Sequence, residues 1–376
     1  MNGRFRNAIT SVPRVRIAVG RAGLSTTIGS SGNWNPTSAR WLASLQSIGN
    51  PNLAGQLPTD PFLIPGTRTD FGTGNVSNMT SSGLASFKAL LLATNQRKRE
   101  IQADIRKGRL QVAGAWTVRA LGWATLACAI MPVRRGANGR LVQRRTELAT
   151  LRANLETSVV NVDFDMESEV ASPHRRSRAA FDQMLACEKI WSVSSTQLID
   201  SVRARTTAAY VSGRRAIGFS HGADPLVSTS EAPMALPAQG GKSTAYFYPG
   251  FVLVAANNGS DFALVDLAEL QLSVTTAKFN ETEAAPRDTA VIGKTWAKSN
   301  KDGSRDRRFK DNREIPVAVY GDLKMSTEGG LNEAFMTSRV EPCLAFGAAI
   351  QELQKLLRAG RSGHRIANQR TISPRY

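Results

Sequence analysis

The residues best suited to chemistry cluster in two places. The first is the stretch Lys298–Arg313, which holds Lys298, Lys301, Arg305, Arg307, Arg308, Lys310 and Arg313 against Asp302, Asp306 and Asp311. A calcium loop needs oxygen ligands in alternation and a closing glutamate. Asp302 and Asp306 are four apart, and Glu314 falls in the wrong register for that glutamate. Guanidinium groups grip phosphates and carboxylates in a planar fork. Arg307, Arg308, Lys310 and Arg313 therefore form a candidate anion or partner site. The competing reading is a self-contained hairpin, with Asp306 and Asp311 paired to neighbouring arginines over Trp296.

The second cluster surrounds Val112–Val133, 22 residues with a single charge, Arg119. Its length matches the roughly 20 apolar residues of a bilayer span. Its quality does not: it is rich in Ala and Gly, Pro132 ends it, and a mid-span Arg costs about 2.5–3.5 kcal/mol. Trp116 and Trp123 suit a membrane interface, and Arg134 and Arg135 suit anionic headgroups. Three placements compete: a tip packed on protein, a tip resting at an anionic surface, and a true span, which is the weakest.

Other combinations carry less. Ser220, His221 and Asp224 are too close in sequence for a triad, whose members converge from separate parts of a fold. Three cysteines (Cys128, Cys187, Cys343) and three histidines (His174, His221, His364), widely spaced, offer no paired zinc pattern. Cys187 falls on an apolar stripe and reads as core. No glycine-rich phosphate loop follows a strand and opens a helix. Neither a cofactor nor a metal is expected, and the function class is non-enzymatic, with an unrecognised hydrolase the distant alternative. The Cys count and the lack of an apolar core in Met1–Gly20 suggest a reducing, cytoplasmic setting.

The elements that must hold these clusters follow from periodicity. The chain has 376 residues and a net charge of +18, with 41% hydrophobic residues, enough to fold throughout. Arg14-Val15-Arg16-Ile17-Ala18-Val19 alternates, so Val15, Ile17 and Val19 should face a core and Arg14 and Arg16 solvent. Residues 33–60, around Trp34 and Trp41, read as a loop insertion. The motifs Arg4-Phe5-Arg6, Pro13-Arg14-Val15-Arg16, Gly23-Leu24-Ser25-Thr26-Thr27-Ile28-Gly29 and Pro65-Gly66-Thr67 resemble the N-terminal repeat of bacterial domain-of-unknown-function family 4236, departing at Arg14, where the family has Gly. That resemblance implies a small β-rich domain.

Leu84, Leu91, Ile105 and Val112 share a heptad phase broken at Lys98, with Phe87 and Ile101 in the second position. Leu141, Leu148, Leu151, Leu155 and Val159 repeat the theme. These spacings predict two long helices paired as an antiparallel, coiled-coil-like hairpin with the apolar stretch at its tip. Residues 174–211 read as a further helix, through Phe181, Leu185, Ile190, Trp191, Leu198 and Val202. Between residues 216 and 358 come seven strands, a Ser338-x-x-Glu341 capping box and an amphipathic helix over 344–357. This order resembles a bacterial pleckstrin-homology-like barrel sandwich, and residues 292–333 resemble a signature recurrent in such modules.

The expected fold class is α+β in four parts: a small β domain (1–75), a helical hairpin and helical region (76–212, tip 112–133), a pleckstrin-homology-like β domain with closing helix (213–358), and a basic tail (359–376). The expected role is binding or scaffolding, with an unknown protein or an anionic membrane surface as partner and peripheral membrane association. The alternative is nucleic acid, bound weakly and non-specifically through the basic helices.

Overall fold

A computed structural model describes residues 14–20, 23–29, 68–124, 142–155, 159–198, 210–222 and 226–370, apart from residues 77, 78, 144, 154 and 260. The 33–60 insertion, the motifs at Arg4–Arg6 and Pro65–Thr67, and Cys128 lie outside these residues.

The N-terminal alternation folds as read. Strand β1 (Arg14–Gly20) buries Val15, Ile17 and Val19 while Arg16 is exposed. It pairs antiparallel with β2 (Gly23–Gly29) and parallel with β4 (Val160–Met166), and β4 pairs with the short β8 (Val227–Ser228). A five-stranded antiparallel sheet has the order β12-β11-β10-β9-β7. Its strands are β7 (Ser220–His221), β9 (Met234–Ala238), β10 (Ser243–Phe247), β11 (Phe251–Ala256) and β12 (Phe262–Asp266). A seven-stranded sheet has the path β13-β15-β16-β5-β3, with β14 on β15 and β6 on β5. It comprises β3 (Arg68–Asp70), β5 (Ile190–Leu198), β6 (Tyr210–Ile217), β13 (Gln271–Asn280), β14 (Ala290–Trp296), β15 (Glu314–Ser326) and β16 (Asn332–Thr337).

Among the described residues three long helices complete the frame, α1 (Ala85–Ala124), α2 (Ser168–Leu185) and α3 (Val340–Arg370), and residues 142–143, 145–153 and 155 are helical as well. Helix α3 packs on α2, on β13 and β15, and on β1 and β2, and Phe346 lies 6.2 Å from Phe247 of the five-stranded sheet. One continuous core therefore joins Val15 and Ile17 to Phe181, Phe251, Phe335 and Phe346. The far part of α3 is fastened by Gln354 Nε2, which donates to the carbonyls of Leu267 (3.0 Å) and Leu270 (2.7 Å). Gly347 lets α3 approach β13, because a Cβ there would collide with Val274.

The expected fold class needs correction in three respects. Among the described residues, a long antiparallel helical hairpin is not found. The first turns of α1 pack on sheet rather than on a helix: Phe87 and Leu91 are buried, and Phe87 meets Phe251 edge-on at 5.6 Å. Farther along, contact with the returning segment shrinks to a patch of Ile101, Ile105 and Leu148, flanked by Val112, Leu151 and Leu155. Two isoleucines and a few half-buried neighbours give a short seam, and Lys98 interrupts the phase that would lengthen it.

Nor do the strands after residue 213 close a barrel by themselves. Strand β16 takes β5 as its neighbour, so residues 190–198 and 68–70 belong to the same sheet. The helix expected across 190–198 is that strand. Its run Ile-Trp-Ser-Val-Ser-Ser-Thr-Gln-Leu suits a pleated surface, and Trp191 and Val193 are buried on the sheet face. The anticipated capping box is also replaced: the Ser338 hydroxyl donates to Asp288 Oδ2 (2.9 Å) and accepts from the Lys189 N–H (3.3 Å).

Two buried ionisable groups shape this frame. Glu333 accepts hydrogen bonds from the Thr73 hydroxyl and the Gln239 N–H (2.7 Å), tying the approach to α1 against the β9–β10 turn; burial pushes its pKa up. His174, on α2, is buried, and that burial, together with Arg178, lowers its pKa from 6.5 to about 4 despite Glu231. The unfolded chain therefore binds this proton first as pH falls. The contribution of neutral His174 is complete above about pH 6.5 and is lost as pH drops toward 4, about 3 kcal/mol in all. Urea titrations of wild type and His174→Gln from pH 7 to about pH 4 should show that extra acid sensitivity in wild type alone.

Candidate functional site

The basic loop between β14 and β15 is built by its own polar side chains. Trp296 faces Glu314 at the end of the ladder, and the Ala297 N–H donates to the Arg313 carbonyl at 3.0 Å. Buried Asn312 then staples the two sides: its Oδ1 accepts from Lys298 N–H (2.9 Å) and its Nδ2 donates to the Lys298 carbonyl (2.6 Å). Asp302 accepts from the backbone and hydroxyl of Ser304 at 3.0 and 2.7 Å, which holds the turn and lowers the pKa of its carboxyl. Positive φ at Gly303 (82°) permits that turn.

Within this frame the four candidate cations divide. Arg308 is engaged: its Nε and Nη2 each donate at 2.9 Å to the carboxylate of buried Asp306. Arg313 Nη2 donates to the Thr282 carbonyl at 2.6 Å. Arg307 and Lys310 are exposed. An open cleft of about 650 Å³ is lined by Asn300, Ser304, Arg305, Asp306, Arg307 and Arg308. The structure thus brings Arg307 and Arg308 to one cleft and leaves Lys310 and Arg313 outside its lining. Two cation–aromatic contacts flank the loop, the first in keeping with the hairpin reading that set arginines over Trp296, the second outside it. Arg305 lies over Trp296 (5.2 Å), and Lys298 lies over Phe309 (5.9 Å).

The apolar tip is described in part. Trp116 lies on α1 and is 59% exposed, and Leu110 is 74% exposed. Arg106, Lys107 and Arg109 beside them are exposed as well. The side chains of Arg119 and Trp123, and residues Arg134 and Arg135, lie outside the described residues. Among the described residues, no helix is long and apolar enough to cross a membrane.

The remaining residues of chemical interest have structural surroundings. His221 Nε2 is 2.5 Å from Asp182 Oδ1, with the ring edge-on to Phe181, while Asp224 lies outside the described residues. Burial pushes the Cys187 thiol up and that of Cys343 to about 12, which keeps both protonated. No protein-family model matches the chain, and no curated protein or solved structure matches it either.

Proposed function

We propose that this chain is a non-enzymatic binding protein that docks peripherally on an anionic membrane surface through α1. The observation that carries the reading is the pairing of Leu110 and Trp116, both solvent-exposed, with Arg106, Lys107 and Arg109 on one helix that leaves the core after Leu91. A helix of 40 residues reaches about 60 Å, so most of its length extends past the turns seated on the sheet. Apolar side chains inserted between headgroups and cations held near phosphates reinforce each other, each cation adding about 1 kcal/mol.

The test is co-sedimentation with phosphatidylserine-containing vesicles. Wild type should bind at low salt and be released by carbonate. Leu110→Ala with Trp116→Ala should weaken binding roughly tenfold without shifting Tm. Charge reversal at Arg106, Lys107 and Arg109 should abolish the salt-sensitive part. Failure to co-sediment would overturn the reading, and retention on an oligonucleotide with no vesicle binding would replace it by non-specific nucleic-acid binding.

A further inference from the structure

We infer that the outer edge of β14, together with the cleft beside it, is a docking site for an extended acidic peptide segment of a partner protein. Strand β14 pairs only with β15 among the described residues. Residues 290–294 are all exposed, with Val291 at 51% and Ile292 at 55%.

The register shows which backbone groups face outward. Lys294 lies opposite Pro316. The Pro316 carbonyl accepts from the Glu281 N–H at 2.9 Å on its other side, the side of β13. Lys294 and Pro316 are thus a non-hydrogen-bonded pair, in which both residues turn their polar groups away from each other. Lys294 therefore presents its N–H and C=O to the open edge. The bond from Ala297 N–H to the Arg313 carbonyl fixes the same alternation, so Trp296 does likewise. An added strand would find donors and acceptors two residues apart at Lys294 and Trp296, up to the register shift between Val291 and Gly293, where Val291 and Ile292 are exposed.

Charge selects the occupant. Residues 297–313 carry seven basic and three acidic side chains, and Lys294 adds another cation on the edge itself. A second copy of this chain would bring two such loops together and be repelled. A peptide carrying both carboxylates and aliphatic side chains would meet the cations Lys294, Arg307 and Lys310 and the apolar Val291 and Ile292; the register shift between Val291 and Gly293 puts Val291 on the same sheet face as Lys294. Arg308 is held by Asp306 and shapes the cleft wall.

Fluorescence anisotropy with a fluorescein-labelled peptide of alternating Glu and Val, about eight residues long, tests this on the full chain. It should bind, with affinity falling as salt rises, and its Lys–Val counterpart should not. Arg307→Glu with Lys310→Glu should weaken binding roughly tenfold and flatten the salt dependence. Lys294→Pro removes one outward N–H, a change that an edge strand tolerates. It should abolish binding with Tm unchanged, whereas Lys294→Ala should weaken it only a few-fold. The Leu110→Ala, Trp116→Ala variant should bind the peptide as wild type does, whatever its behaviour on vesicles. Absence of binding, indifference to Lys294→Pro, tighter binding of an oligothymidylate, or a concentration-dependent dimer broken by Lys294→Pro would each overturn the proposal.

Discussion

Replacing Arg214 by alanine is expected to destabilise the protein by about 3–5 kcal/mol, the cost of leaving a buried carboxylate without its cation. Arg214 projects from β6 onto the face of the seven-stranded sheet away from α3. There its guanidinium lies 4.3 Å from the ring of Phe279 and 4.6 Å from that of Trp191. Its Nη2 donates to both oxygens of Glu281 at 2.6 Å, and Tyr320 donates to the same carboxylate at 2.7 Å. Glu281 is 1% exposed and Arg214 12%. Burial pushes the Glu281 carboxyl up, yet Arg214 and Tyr320 together hold it below its ordinary value of 4.5.

With a depressed folded pKa, this pair stabilises the protein above about pH 4.5, and the benefit is lost as pH falls through the folded value. In Arg214→Ala the carboxyl stays buried without its partner, and its pKa rises. The defect should therefore be large at neutral pH and shrink on acidification. Removing both charges, Arg214→Met with Glu281→Leu, should restore most of the stability, since apolar groups of similar volume often replace a buried pair at little cost. Urea midpoints at pH 7 and about pH 4 for the three variants provide the check. An Arg214→Ala protein equal to wild type at pH 7 would refute the assignment.

A fragment spanning residues 213–358 should show no cooperative thermal transition, although it contains most of the strands and the greater part of α3. Strand β16 would lose β5, and with it the Trp191 side chain that lies 5.0 Å from Tyr320. Helix α3 would lose α2, including Phe181, which packs 6.0 Å from Phe346. Phe251 would lose its contacts with Phe87 and with Phe164 at 6.0 Å. Each missing aromatic costs about 3–5 kcal/mol, and three of them match the whole stability of an ordinary domain. Circular dichroism melts of the fragment and the full chain decide this. A sharp transition in the fragment would mean that the shared core is dispensable.

Much local structure was legible from residue order. Alternation in 14–19 placed Val15, Ile17 and Val19 inside and Arg16 outside, because successive side chains of a strand point to opposite faces. Apolar runs separated by Pro-Gly and Asn-Asn-Gly marked β10 to β12, and the stripe over 344–357 marked α3. The cationic character of the 298–313 loop was likewise present in its residue types. The candidate site was legible as a composition with two competing readings, one of which paired Asp306 with a neighbouring arginine; that this arginine is Arg308, and that β14 pairs only with β15 among the described residues, came from the structure.

Strand β5 was misread as helix, because a short run such as Ile190-Trp191 fits either period when the partner strand is unknown. The pairings of β1 with β4 and of β16 with β5 join segments more than 130 residues apart. The meeting of Arg214 with Glu281 and of His221 with Asp182 has the same character. Periodicity reports which face of an element is apolar. Which other element covers that face depends on the burial that all the segments achieve together, and that only the tertiary structure decided.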